Sequence, residues 1–150
     1  MEAESFSDNE LSGFINETFV PVEIHIKENP TGFHRFDVLW TPSVLIMDPL
    51  GKERVRNEGY LPKAEFRAWL DMGLARLAFV AKKWAEAEAR FDGIVKCNPD
   101  SGVAAYAVYW RGVSRYKQSH DHRALAAVAE EFRHSYQESI WAKKSVVWGG

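Results

Sequence analysis

The spacing of apolar positions changes several times along the first 75 residues. Leu11, Phe14 and Ile15 recur at helical spacing behind Ser7 and Glu10, a Ser-x-x-Glu capping box, so a short helix is predicted over 7–17. Val20, Val22, Ile24 and Ile26 then alternate with Pro21, Glu23 and His25, the period of a strand with one apolar face over 19–26. Pro21 cannot donate to a ladder, which places the strand start or a sheet edge there. Asn29-Pro30-Thr31-Gly32 punctuates, and a short helix is expected over 32–36. Ser43-Val44-Leu45-Ile46-Met47-Asp48 reads as a buried strand and Pro49-Leu50-Gly51-Lys52 as a hairpin turn. Residues 53–60 are the return strand, charged enough to belong at an edge. Leu61-Pro62 opens a helix at Lys63, whose Phe66, Leu70 and Leu74 stand four apart with Trp69 beside them.

From Leu74 the pattern turns helical and rich in alanine. Leu77, Val80, Trp84 and Ala87 share one face, and the helical run continues to Cys97, where Asn98-Pro99-Asp100 stops it. Residues 103–117 form the next helix, with an aromatic stripe of Tyr106, Tyr109, Trp110 and Tyr116 that is expected in the core. Gly112 is its close-approach position. Residues 123–136 give a partner helix with Leu125, Val128, Ala129 and Phe132 inward, and a last helix starts at Ser139. Ala87, Phe91 and Pro99 resemble the end of a tetratricopeptide repeat: a small residue where helices approach, an aromatic at their crossing, and a proline stop. Ala87 and Ala124 are 37 residues apart against a usual period of about 34, so the repeats are degenerate.

Composition narrows the classes. The chain has 150 residues, 46% hydrophobic and 27% charged, with a net charge of −2, so it holds enough apolar material for a core and is not a disordered type. The balance argues against a general nucleic-acid binder. No apolar run approaches the roughly 20 residues of a membrane span, and the acidic Met1-Glu2-Ala3-Glu4 start has no apolar signal core. The expectation is therefore a cytoplasmic chain that meets neither nucleic acid nor membrane. Residues 1–75 hold 13 acidic and 7 basic residues, whereas 76–150 hold 8 acidic and 12 basic. The charge changes sign where the pattern changes type, which predicts two domains, 1–75 and 76–150.

At residues 36–46 the first half resembles the C-terminal part of the thioredoxin fold. The residues that carry the likeness are Trp40-Thr41-Pro42-Ser43 before a buried strand, the hairpin at Asp48-Pro49-Leu50-Gly51-Lys52-Glu53, and the exit Gly59-Tyr60-Leu61-Pro62. The resemblance implies a cis proline at Pro42, beside the place where family members bind extended partners. With Tyr109-Trp110-Arg111-Gly112-Val113 and Ser139-Ile140-Trp141-Ala142-Lys143-Lys144, nearly the whole chain resembles bacterial thioredoxin-family proteins with a helical tail. The fold class expected is α/β, thioredoxin-like and N-terminally incomplete, followed by an all-α array of tetratricopeptide-like hairpins.

Complete members carry a strand and a CxxC pair ahead of this region, and the resemblance implies thiol-disulfide chemistry for them. Here the one cysteine is Cys97, so neither a disulfide within the chain nor a CxxC pair is written in it. In the family the missing strand lies between those matching 19–26 and 44–47. Either those two strands pair directly, or another segment or chain fills the slot, or the sequence is an incomplete copy.

Two functions follow. One is a redox-inactive protein-binding module with a helical interaction tail, gripping a protein or extended peptide at Trp40, Thr41, Pro42 and Ser43. The other is a thiol-disulfide oxidoreductase whose CxxC lies upstream of residue 1. A second surface is a helical groove at Tyr106, Arg111, Arg115 and Tyr116, and open sheet edges offer a route to a homo-oligomer. Cys97 itself reads as an inert, partly buried thiol, because Lys96 beside it points elsewhere on a helix. His120-Asp121-His122 reads as a solvated turn, and Lys82-Lys83 and Lys143-Lys144 as solvated helix faces. No catalytic residue, metal site or cofactor is expected.

Overall fold

The structure, a computed structural model, describes residues 9–149. The chain divides into two compact units, one ending at Phe66 and the other beginning at Arg67.

The first unit begins with α1 (Asn9–Thr18), whose Leu11 and Ile15 are buried. This is the expected first helix; its proposed cap, Ser7, lies outside the described residues. α2 (Pro30–Arg35) starts two residues earlier than expected, because Asn29 caps it and Pro30 fits its first position. The Asn29 side chain accepts from the Gly32 N–H at 2.8 Å.

β1 (Ser43–Met47) and β2 (Glu53–Glu58) form a two-stranded antiparallel sheet with Leu45 opposite Arg56 and a bulge after Ile46. The turn between them is held by Asp48. Its carboxylate accepts from the N–H groups of Leu50 and Lys52, both at 2.9 Å, and from Arg54 at 2.7 Å. Gly51 supplies the positive φ of 75° that this turn requires.

The predicted strand over 19–26 does not form. Val20 is 90% exposed and Val22 78%, and the His25 carbonyl instead accepts from Glu28 and Asn29 in a turn. A strand needs a neighbour to satisfy its backbone, and among the described residues none pairs with this segment. The direct pairing of 19–26 with 44–47 is thereby excluded for this structure.

The second unit is helical. α3 (Lys63–Val80) crosses from the first unit into it, and is followed by α4 (Trp84–Cys97), α5 (Ala104–Ser119), α6 (Arg123–His134), α7 (Ile140–Ser145) and a 3₁₀ turn (Val146–Trp148). The single run expected from 74 to 97 is broken at 81–83, where Lys82 turns left-handed with φ of 60°. No glycine or proline announces that break.

The core of this unit interleaves small residues with large apolar ones such as Trp69, Ile94 and Phe132. Ala87, Phe91, Ala104, Ala107 and Val108 are each 0% exposed, and α5 and α6 meet where Gly112 faces Val128. The aromatic stripe of α5 borders this core rather than filling it, with Tyr109 packed against its buried cluster. Tyr106, Tyr109, Trp110 and Tyr116 are half-buried, because alanine and glycine let the helices approach and crowd the large rings to one side.

Candidate functional site

The loop before β1 is short and tied down by its own backbone. The Ser43 hydroxyl donates to the Trp40 carbonyl at 2.6 Å, and the Gly59 N–H donates to the Pro42 carbonyl at 2.7 Å. Arg56 reaches back from β2 to the carbonyls of Phe36 and Asp37, the latter at 3.0 Å. That anchor fixes the chain entering the loop. The Thr41–Pro42 peptide is cis.

The loop displays apolar side chains that its backbone does not cover. Leu39 is 79% exposed and Trp40 69%. Beside them β1 pairs only with β2, so among the described residues its other edge has no strand beside it. Trp40, Thr41, Pro42 and Ser43 thus form one contiguous surface at the start of a strand edge. Two ion pairs stiffen the platform behind it: Arg54 with Asp48 at 2.7 Å and Arg56 with Glu53 at 2.7 Å. The N–H of Lys52, with Arg54 and the Leu50 N–H, holds the Asp48 carboxyl below the usual carboxylate range against the opposing effect of burial. Arg56 does the same for Glu53.

The second candidate surface does not hold together. Tyr106 and Tyr116 fall on one side of α5, and Arg111 and Arg115 on the other. Arg111 bridges Asp92 of α4, at 2.9 Å, and Glu131 of α6. Arg115 pairs with Glu88 at 2.8 Å. These guanidinia are clamps between helices. Tyr106 accepts from Arg76 at 3.1 Å and packs edge-on to Trp141, and burial pushes its hydroxyl pKa up.

Cys97 stands at the end of α4 and is exposed rather than partly buried. His120 ends α5 in the left-handed conformation, and His122 stacks obliquely on Tyr116 at 5.2 Å. Among the described residues no cluster of histidine, cysteine or carboxylate side chains is arranged to hold a metal.

Residues 1–73 match the family model of a thioredoxin-like domain. The N-terminal part of this chain is a thioredoxin-like domain. The match takes in α1, α2, the β1–β2 hairpin and the first turns of α3, and it ends inside that helix. The exposed loop at Trp40–Ser43 lies within the thioredoxin-like domain, while α4 to α7 lie beyond the match. No curated protein matches the chain, and no solved structure matches it. No helix among the described residues is long and apolar enough to cross a membrane.

Proposed function

We propose that the chain is a redox-inactive, protein-binding member of the thioredoxin family with a tetratricopeptide-like interaction tail. The observation that carries this reading is the exposed Leu39-Trp40 pair beside a strand that, among the described residues, is paired on one side only. An extended polypeptide laid along β1 takes backbone hydrogen bonds from that edge and apolar contact from Trp40. Thiol-disulfide exchange through a pair needs two thiols, and this sequence writes one, at the end of α4. The tail reading draws on Ala87 and Phe91, both fully buried where a repeat places its small and aromatic residues.

The test uses dye-labelled, reduced and carboxymethylated α-lactalbumin as an extended probe, followed by fluorescence anisotropy. Saturable binding is expected, weakened at least about tenfold by Trp40→Ala, as for a buried aromatic anchor. Binding that ignores this substitution, or no binding, contradicts the proposed surface. In a parallel insulin-reduction assay with dithiothreitol, turnover that Cys97→Ala abolishes contradicts the redox-inactive part.

A further inference from the structure

The helical unit carries a second unfilled surface. Tyr109, Val113 and Tyr116 stand at i, i+4 and i+7 along α5, and Trp141 and Trp148 close over them from α7 and the 3₁₀ turn. Together they wall an open trough of about 340 Å³. The Tyr109 ring lies 4.6 Å from that of Trp148 and 5.1 Å from that of Trp141. Lys117 and Lys144 stand at its rim, and no carboxylate lines it. Both lysines are exposed and neither makes an ion pair among the described residues; Lys144 rests its ammonium 4.2 Å over Trp141.

We infer that this trough binds an acidic peptide segment anchored by one large apolar side chain. The volume suits such an anchor with some neighbouring backbone, at the low end of ligand pockets. The aromatic walls offer apolar area at little cost in side-chain freedom. The rim selects the charge. Two unpaired ammonium groups repel a cationic guest, and Lys144 already occupies a face of Trp141 that a cation would need. Carboxylates flanking the anchor meet both lysines without displacing a carboxylate partner among the described residues. A bilayer is a poorer fit, because Tyr109, Trp141 and Trp148 are half-buried in a concavity rather than protruding. The proposal goes beyond the reading of the N-terminal loop and does not depend on it.

The test is fluorescence anisotropy with the full chain and a labelled probe peptide, Gly-Glu-Asp-Glu-Phe-Glu-Asp-Gly. Saturable binding is expected, falling as salt rises. The double variant Lys117→Glu, Lys144→Glu weakens it by roughly tenfold or more, while circular dichroism stays unchanged because both side chains are exposed. A probe with glutamine and asparagine for its acids, and one with alanine for phenylalanine, each bind weakly. Trp40→Ala leaves this binding intact, which separates it from the N-terminal surface. The inference is overturned if the double variant binds as the wild type does, or if the alanine probe matches the phenylalanine one. It is equally overturned if vesicles of phosphatidylcholine and phosphatidylserine are captured and the peptide is not. Sedimentation showing a dimer that excludes the probe assigns the trough to a second copy and also overturns it.

Discussion

Replacing Gly112 with alanine puts the packing of α5 against α6 under a sharp test. A Cβ at this position comes 1.9 Å from Cγ2 of Val128, 3.4 Å from its Cβ and 3.5 Å from the Ala124 carbonyl oxygen. The first distance is about half of ordinary carbon contact, which is roughly 3.5–4.0 Å. Val128 is 4% exposed and, being β-branched in a helix, has essentially one rotamer, so it cannot swing aside. Overpacking of this kind costs about 1–3 kcal/mol. Alanine in place of a mid-helix glycine returns about 1 kcal/mol of helix propensity. A 1.9 Å approach to a stiff side chain belongs at the upper end of that range, so the net loss expected is about 2 kcal/mol, which for a unit of this size lowers the melting temperature by about 8–16 °C. Thermal unfolding followed by far-UV circular dichroism reads it. The sign should reverse when Val128 is also alanine: Gly112→Ala then adds stability, about 1 kcal/mol, because the clashing methyl is gone. A Gly112→Ala variant that melts at or above the wild type, or no reversal in the Val128→Ala background, refutes the close approach of these two helices.

Three further predictions probe the scaffold. Asp48 titrates below its ordinary value of 3.8, so its contribution to the hairpin is fully present above about pH 4 and is lost as pH falls through the folded-state value; carboxyl chemical shifts followed from pH 6 to pH 2 check this, and Asp48→Asn removes that acid-dependent loss. Ser139→Ala deletes the α7 cap, whose hydroxyl accepts from the Ala142 N–H at 3.1 Å, and should cost about 1 kcal/mol in chemical unfolding. Arg111→Met breaks the bridge between Asp92 and Glu131, leaving two half-buried carboxylates unpaired by it; a loss of about 1–2 kcal/mol is expected, and Glu131→Gln in the same chain should recover part of it.

The parts legible in the sequence are those fixed by local chemistry. The β1–β2 hairpin follows from Asp48-Pro49-Leu50-Gly51, where one carboxylate and one glycine make the turn. The end of α4 follows from Asn98-Pro99, and the loop at Trp40–Ser43 from its place before a strand. The parts that were not legible depend on neighbours. The alternation of Val20, Val22, Ile24 and Ile26 states that the segment is able to be a strand, but the ladder partner that would make it one is not among the described residues. The aromatic stripe of α5 has core-like spacing, yet Ala104, Ala107 and Val108 are its fully buried positions, while Tyr106, Tyr109 and Trp110 lie half-buried against the rings of Phe91, Trp141 and Phe79. That outcome is decided by how closely the helices approach. Arg111 and Arg115 share a helix with Tyr116 but face the carboxylates of α4 and α6, a pairing across 19 to 27 residues that no local spacing reveals. The trough bounded by Trp141 and Trp148 needs α7 and the 3₁₀ turn folded back on α5, which is likewise invisible before the fold is known.

The proposed docking surface for an extended polypeptide is the Trp40–Ser43 loop and the edge of β1 away from β2. Its most direct test is a nitrogen-15 amide spectrum of the full chain, recorded while unlabelled reduced and carboxymethylated α-lactalbumin is added. Resonances of β1 (Ser43–Met47) and the Trp40 indole are expected to shift together and saturate, and the outward amides of the strand to gain protection from exchange. Shifts confined to the helical unit, or a β1 edge that stays unperturbed at saturating polypeptide, contradict it.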